Sequence, residues 1–310
     1  VVPEGEGMNE TMIISLVLGS LSAMVPIALV SIGATISERA GVVNIGYEGI
    51  LMFSAFFGTM IAEWAGNGWV GLLGGALVGL LLGALHGFLT VYLKGDHVIP
   101  GIGLNLLGYG SVAFGIMAYW GTAGQHQVPD TVKVEPLWRD AFGNSLSPMV
   151  VITIAIAIVS WWVLFKTPFG LRIRSVGENP EAADALGINV ELYRFTAVLI
   201  ASALAGVGGA YLSVDWLGTV TKSIAAGRGF IGLANMVFSN WNPLVALGGA
   251  FLFGFFDNLS FYIQNNPWLA GTIPWQFIAT LPYVVTLLVV AGIIGKAKPP
   301  KADGKPYKRE

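Results

Sequence analysis

The sequence predicts an all-α protein: a polytopic transmembrane bundle of about eight to ten spans, some broken or re-entrant, with one short helix on the cytoplasmic side. Three observations predict it. Only 11% of the 310 residues are charged while 55% are hydrophobic, and mean hydropathy is +0.71. Soluble domains carry about 25% charged residues, so this exterior faces lipid. Apolar runs recur at lengths of about 20 residues, enough to cross a hydrocarbon core. The 42 glycines suit helices whose backbones approach closely where no hydrophobic effect drives association.

Taken in order, the apolar runs place helices at 12–35, 42–62, 69–93, 99–120, 147–165, 192–214, 225–240, 243–264 and 276–295. The run after 225 is short and glycine-interrupted, which marks it as the broken or re-entrant member. Most tryptophans, including Trp64, Trp69, Trp120, Trp216, Trp241, Trp268 and Trp275, fall at span ends as an interfacial belt would. Residues 1–11 read as an extracytoplasmic tail, with the stretch ahead of Met8 foreign to it, and 12–295 as the transmembrane domain. Residues 296–310 read as a basic cytoplasmic tail, since Lys296, Lys298, Lys301, Lys305, Lys308 and Arg309 outnumber its acids. Lys166, Arg172, Arg174 and Arg194 put the segment 166–194 on the same side. Gly71, Gly75, Gly79, Gly83 and Gly87 recur every four residues and line one helix face, a packing groove within the subunit in preference to a subunit interface.

Two polar stretches stand out. The first, SVGENPEAADALGINVELYRF at 175–195, reads as an isolated short helix within a segment at about 175–191. Asn179 is its N-cap, Pro180 its first residue, Glu181 and Asp184 complement the dipole, and Gly187 ends it. About two turns are marginal alone in water, so the helix either docks onto a partner or covers the end of the bundle. The second, ISERAGVVNIGYEGI at 36–50, holds Glu38, Arg39, Asn44 and Glu48 between apolar runs. Adjacent Glu38 and Arg39 read as a solvated interfacial turn where an ion pair is inexpensive. A charge at mid-bilayer costs about 2.5–3.5 kcal/mol on insertion scales, so Glu48 must be neutral, paired or facing a water-filled path. A polar clamp at a helix break and a pathway-lining role both fit Glu48 and Asn44, with the structural reading favoured for Asn44. Asn105 suits interhelical bonding. Arg228, between two glycines, suits a snorkelling interfacial position, with an anchor or a pathway role as its alternatives. His86 reads as a packed core histidine, and Asp257 and Asn258 as helix–helix glue.

The order Glu181-Ala182-Ala183, three residues, Gly187 resembles the E-A-A-x-x-x-G loop of ATP-binding-cassette (ABC) importer permeases. ISERAGVVNIGYEG resembles the signature of the permease family that serves branched-chain amino acids, ribose-type sugars and nucleosides, nearest to the shorter permease of nucleoside importers. HVIPGIGLNLLGYG at 97–110, VGENPEAADALGI at 176–188 and AGRGFIGLANMVFSNWNPLVALGGAFLFG at 226–254 fit the same family. The resemblance implies a subunit of the bacterial inner membrane that forms the translocation pathway for a small polar solute, nucleosides first and simple sugars second. It implies ATPase coupling through Asn179, Pro180, Glu181, Ala182, Ala183 and Gly187, with Glu38, Arg39, Asn44, Glu48, Asn105 and Arg228 as motif or pathway residues. Its implied partners are a cytoplasmic ABC ATPase holding the ATP and magnesium, a second permease, a different chain in preference to a copy, an external solute-binding protein and membrane lipid, with no nucleic acid.

The chain itself suggests no cofactor and no catalysis. It has no phosphate loop, no H-E-x-x-H and no G-x-S-x-G, and no cysteine to form a disulfide or thiolate site. A secondary transporter using Glu48 and Asp257 as coupling carboxylates is the competing class.

Overall fold

The computed structural model describes residues 6–139, 145–265 and 297–308, with isolated positions between 274 and 284. The span expected at 276–295 falls largely outside the described residues, as do Trp268 and Trp275. The described chain is a helical bundle of ten α-helices, numbered in order: α1 Glu6–Arg39, α2 Tyr47–Ala65, α3 Gly68–Gly87, α4 Val98–Trp120, α5 Pro148–Lys166, α6 Pro168–Glu178, α7 Pro180–Ala185, α8 Val190–Tyr211, α9 Arg228–Phe238 and α10 Pro243–Asn265. Six of these, α1, α3, α4, α5, α8 and α10, are long and apolar enough to cross a membrane. Five-residue π-turns extend α3 over Phe88–Tyr92 and α8 over Leu212–Trp216.

Local chemistry sets several boundaries. Ser147 caps α5 by accepting the Met149 N–H at 3.0 Å, with Pro148 at the first helical position. Thr167 and Pro168 repeat that device at α6, a helix the hydropathy pattern alone did not mark because its face is half polar. α1 runs four residues beyond its expected end, because nothing in Ile36–Arg39 breaks a helix. α2 starts five residues later than expected, because residues 40–46 form an irregular segment that opens with Gly41 at φ +87°.

The core lies along α1, α2, α3 and α8. The α3–α8 and α1–α10 pairs form the most extensive contacts. Gly75 and Gly79 of α3 press on Gly206, Ala210 and Ser202 of α8, and Gly83 on Ser202. Added β-carbons at Gly75 or Gly79 would overlap neighbouring backbone carbonyls, so this seam is glycine-dependent packing inside the chain. α2 is shielded by protein over most of its surface.

At one end of the bundle, Gln125–Gln127 pairs antiparallel with Thr219–Thr221. There His126 stacks on Trp120, and Glu63 bonds both rings. Trp64 is 87% exposed, as a belt residue would be, whereas Trp241 is buried. The opposite end gathers the 40–46 segment, α6, α7 and residues 297–308. The last of these fold back onto the bundle: Ala302 N–H donates to the Gly177 carbonyl (2.9 Å) and Gly304 N–H to the Gly41 carbonyl (3.2 Å).

Candidate functional site

Two helices begin in the interior of the bundle: Glu48, in the first turn of α2, holds the start of α9, and Asn105 of α4 holds the start of α2. α9 is only 11 residues long and begins beside the middle of α1: Gly232 abuts Ile27 and Val30, and its carbonyl accepts from the Ser31 hydroxyl at 2.7 Å. The chain enters α9 through Ala226 and Gly227, both at positive φ. Four N–H groups at such a start lack helical partners, and lipid cannot supply any. Glu48 supplies two of them, its Oε1 accepting from Gly227 N–H at 2.7 Å and its Oε2 from Gly229 N–H at 2.8 Å. The carboxylate is wholly buried at the positive end of the α9 dipole. Tyr109 of α4 adds a hydroxyl bond to Oε1 at 3.3 Å.

The start of α2 is closed from α4. Asn105 Oδ1 accepts the Gly49 N–H at 2.8 Å, and its Nδ2 donates to the Ile45 carbonyl at 2.9 Å. The irregular segment before α2 draws hydrogen-bond partners for its backbone from several sides, as buried backbone requires. Asn44 Oδ1 takes the Gly46 N–H at 2.8 Å. Val43 donates to His97 Nδ1 at 3.3 Å and accepts from His86 Nε2 at 3.1 Å. Burial pushes the His97 imidazole down to about 4, which keeps it the neutral acceptor Val43 needs. The glycines here permit contact: a β-carbon on Gly49 would strike the Leu104 carbonyl, and one on Gly229 the Glu48 backbone.

Two sequence expectations are corrected. Glu38 and Arg39 are not a solvated turn and do not pair. Both lie in the last turn of α1, where neighbours in sequence point apart. Glu38 is buried and accepts from the Trp241 indole at 2.8 Å, while Arg39 donates to the carbonyls of Asn240 and Trp241 and lies over the Phe165 ring. Together they fix the far end of α9. Arg228 does not snorkel: it bonds Asp257 of α10 at 2.8 Å and stacks on Trp216 with its guanidinium 5.0 Å from the ring centre. Asn258 bonds the Leu16 carbonyl at 3.1 Å, joining α10 to α1. The site therefore unites Glu48, Asn44 and Asn105 with Tyr109, which the sequence reading did not single out. Tyr109 is 42% exposed and carries the clamp to the surface of the chain. Its place in the 97–110 stretch, four residues after Asn105 on one helical face, was the available signal.

The segment 179–187 forms a separate feature at the end that holds 297–308. Asn179 Oδ1 accepts the Ala182 N–H at 3.0 Å, and Pro180 opens α7. Gly187 adopts φ +79°, with Ile188 N–H returning to the Ala183 carbonyl at 3.0 Å, a glycine-closed helix end. Ala183 faces inward, while Leu186 is 82% exposed.

Residues 16–291 match the model of a family described as the branched-chain amino acid transport system / permease component. The chain belongs to this permease family. A nucleoside ABC transporter permease, NupC of Lactococcus lactis, is 40% identical over 91% of this permease and 93% of its own length. A guanosine ABC transporter permease, NupQ of Bacillus subtilis, is 36% identical over 97% and 98%. A Haloferax volcanii protein named as a putative glucose ABC transporter permease, TsgC13, is 34% identical over 89% and 92%. The permease is thus a multi-pass membrane transport subunit, and Glu48, Asn44 and Asn105 are the polar centre of its bundle.

Proposed function

We propose that this permease forms part of the translocation pathway of an ABC importer for nucleosides, taking its substrate from an external binding protein and its power from a separate cytoplasmic ATPase. The observation that carries the coupling half of this reading is α7: a six-residue helix closed at both ends, with Glu181 and Leu186 turned outward, where an ATPase can grip it. The names of the two relatives at 36–40% identity support the substrate class. The positive charge of Lys298, Lys301, Lys305 and Lys308 supports reading the α7 end and the C-terminal segment as cytoplasmic. The pathway runs past Tyr109 and the Arg228–Asp257 pair and is completed by a second, different permease. Relatives named as further nucleoside and guanosine permeases, NupB of L. lactis and NupP of B. subtilis, match about half of this chain at 26% identity, which favours a pair of unlike chains.

Two experiments test this. Thermal shift of the cognate binding protein with nucleosides, pentoses and branched-chain amino acids should select nucleosides; a shift with pentoses alone would replace them with sugars. Uptake in vesicles should stop without ATP and survive a collapsed ion gradient. The reverse dependence would establish the secondary-transporter class.

A further inference from the structure

A helix as short as α7 does not hold itself in place, and only Ala183 of its residues is buried. What closes its inner side is the far C-terminal segment. Tyr307 is buried in one apolar cluster with Val176 of α6, Ala183 of α7 and Val190 of α8. From that plug the segment runs to the helix break. Arg194 donates to the Lys305 carbonyl at 2.8 Å, Gly304 N–H reaches the Gly41 carbonyl and Ala302 N–H the Gly177 carbonyl. Lys298 N–H ends the run on Asn240 at the far end of α9, at 3.0 Å. Gly41 opens the irregular segment that leads to Glu48, and Asn240 follows the helix that Glu48 caps. One stretch of chain therefore touches α7 and both broken elements of the polar centre.

We propose that residues 297–308 are a strap that positions α7 and ties its movement to the two broken helices, with Tyr307 as the positioning residue. This rests on the reading of α7 as the element an ATPase grips. Small displacements of α7 would otherwise be absorbed in its own connections, since six residues joined by turns offer little stiffness. The strap adds a second connection that bypasses α8 and arrives at Gly41 and Asn240.

The test uses the assembled transporter in proteoliposomes, comparing the parent with Tyr307→Ala, Tyr307→Phe and a chain ending at residue 296. Solute uptake and ATP hydrolysis are measured on the same samples. Tyr307→Ala and the shortened chain should lower solute moved per ATP at least about fivefold, while hydrolysis changes less than twofold and the melting temperature of the bundle holds. Tyr307→Phe keeps the buried ring and should restore the ratio. Because the permease has no cysteine, spin labels at Leu186→Cys and Leu77→Cys report α7 directly, and their distance distribution should broaden when the strap is lost. An unchanged ratio, or uptake, hydrolysis and melting temperature falling together, overturns the proposal. Glu181→Arg separates the two levels. If it leaves uptake untouched, the gripping role of α7 itself fails; if it abolishes uptake while the strap variants stay coupled, only the strap fails.

Discussion

Replacing Glu48 with alanine removes the acceptor for two backbone N–H groups, Gly227 at 2.7 Å and Gly229 at 2.8 Å, at a wholly buried position. A hydrogen bond to a charged group contributes about 1.5–3 kcal/mol, and a buried donor left without a partner costs a comparable amount. Withdrawing the carboxylate from the α9 N-terminus removes up to about 1 kcal/mol more. Glu48→Ala should therefore destabilise the bundle by about 3–5 kcal/mol. Glu48→Gln keeps one acceptor oxygen but turns an NH2 toward the second N–H, for a loss of about 2 kcal/mol. At about 2–4 °C per kcal/mol for a chain of this order of size, the melting temperature in detergent should fall roughly 6–20 °C for alanine and roughly 4–8 °C for glutamine. Intrinsic tryptophan fluorescence or a thermostability assay on the purified permease reads both. A glutamine variant that melts with the parent yet no longer moves solute would refute the clamp and make Glu48 a pathway ligand.

Further outcomes follow from the same geometry. Gly79→Ala should lower stability by about 1–3 kcal/mol through overpacking of the α3–α8 seam, whereas Gly103→Ala and Gly110→Ala, which have nothing within 4 Å of the added carbon, should melt with the parent; paired thermal melts check this. Glu181→Arg or Gly187→Val should uncouple uptake from ATP hydrolysis with membrane insertion intact, the valine because it cannot easily hold φ +79°; normal uptake by both would remove the coupling role. Burial raises the Asp303 carboxyl to about 6, with its hydrogen bond to the Glu38 carboxyl, the Gly304 N–H and the Arg194 charge opposing the shift in that order. A folded-state pKa above the unfolded value gives stability that is present below about 4 and lost as pH rises through about 6. Asp303→Asn should flatten that part of the melting-temperature profile by at most about 1.4 kcal/mol per pH unit, and an unchanged difference between pH 4.5 and 7 would rule the contribution out.

The parts legible in the sequence were those written in local chemistry. Ser147-Pro148 and Asn179-Pro180 mark helix starts because caps and fixed φ act within three residues. The glycine repeat of α3 showed its packing face because it follows the helical period. The shortness of α9 was visible in Gly227 and Gly229. The partners were not legible. Glu48 meets Gly227 and Glu38 meets Trp241 across about 180–200 residues of chain, and no periodicity encodes such a meeting. Asn44 and Glu48 could be flagged as requiring satisfaction, since membrane burial of polar groups demands it, but which atoms satisfy them is a property of the tertiary fold. The docked C-terminal segment was least visible of all, because lysines and prolines read as solvated tail until Tyr307 is seen beneath α7.

The glycine seam carries a mechanical corollary. Where two helices meet backbone on backbone, with Ser202 and Gly206 seated against Gly75, Gly79 and Gly83, neither can rotate or slide past the other without collision. α3 and α8 therefore act as a single stiff rod. The rod runs from the end of the bundle that holds α7 and residues 297–308 to its other tip, beside the Gln125–Gln127 and Thr219–Thr221 pairing, so a displacement applied at either end is not dissipated along its length.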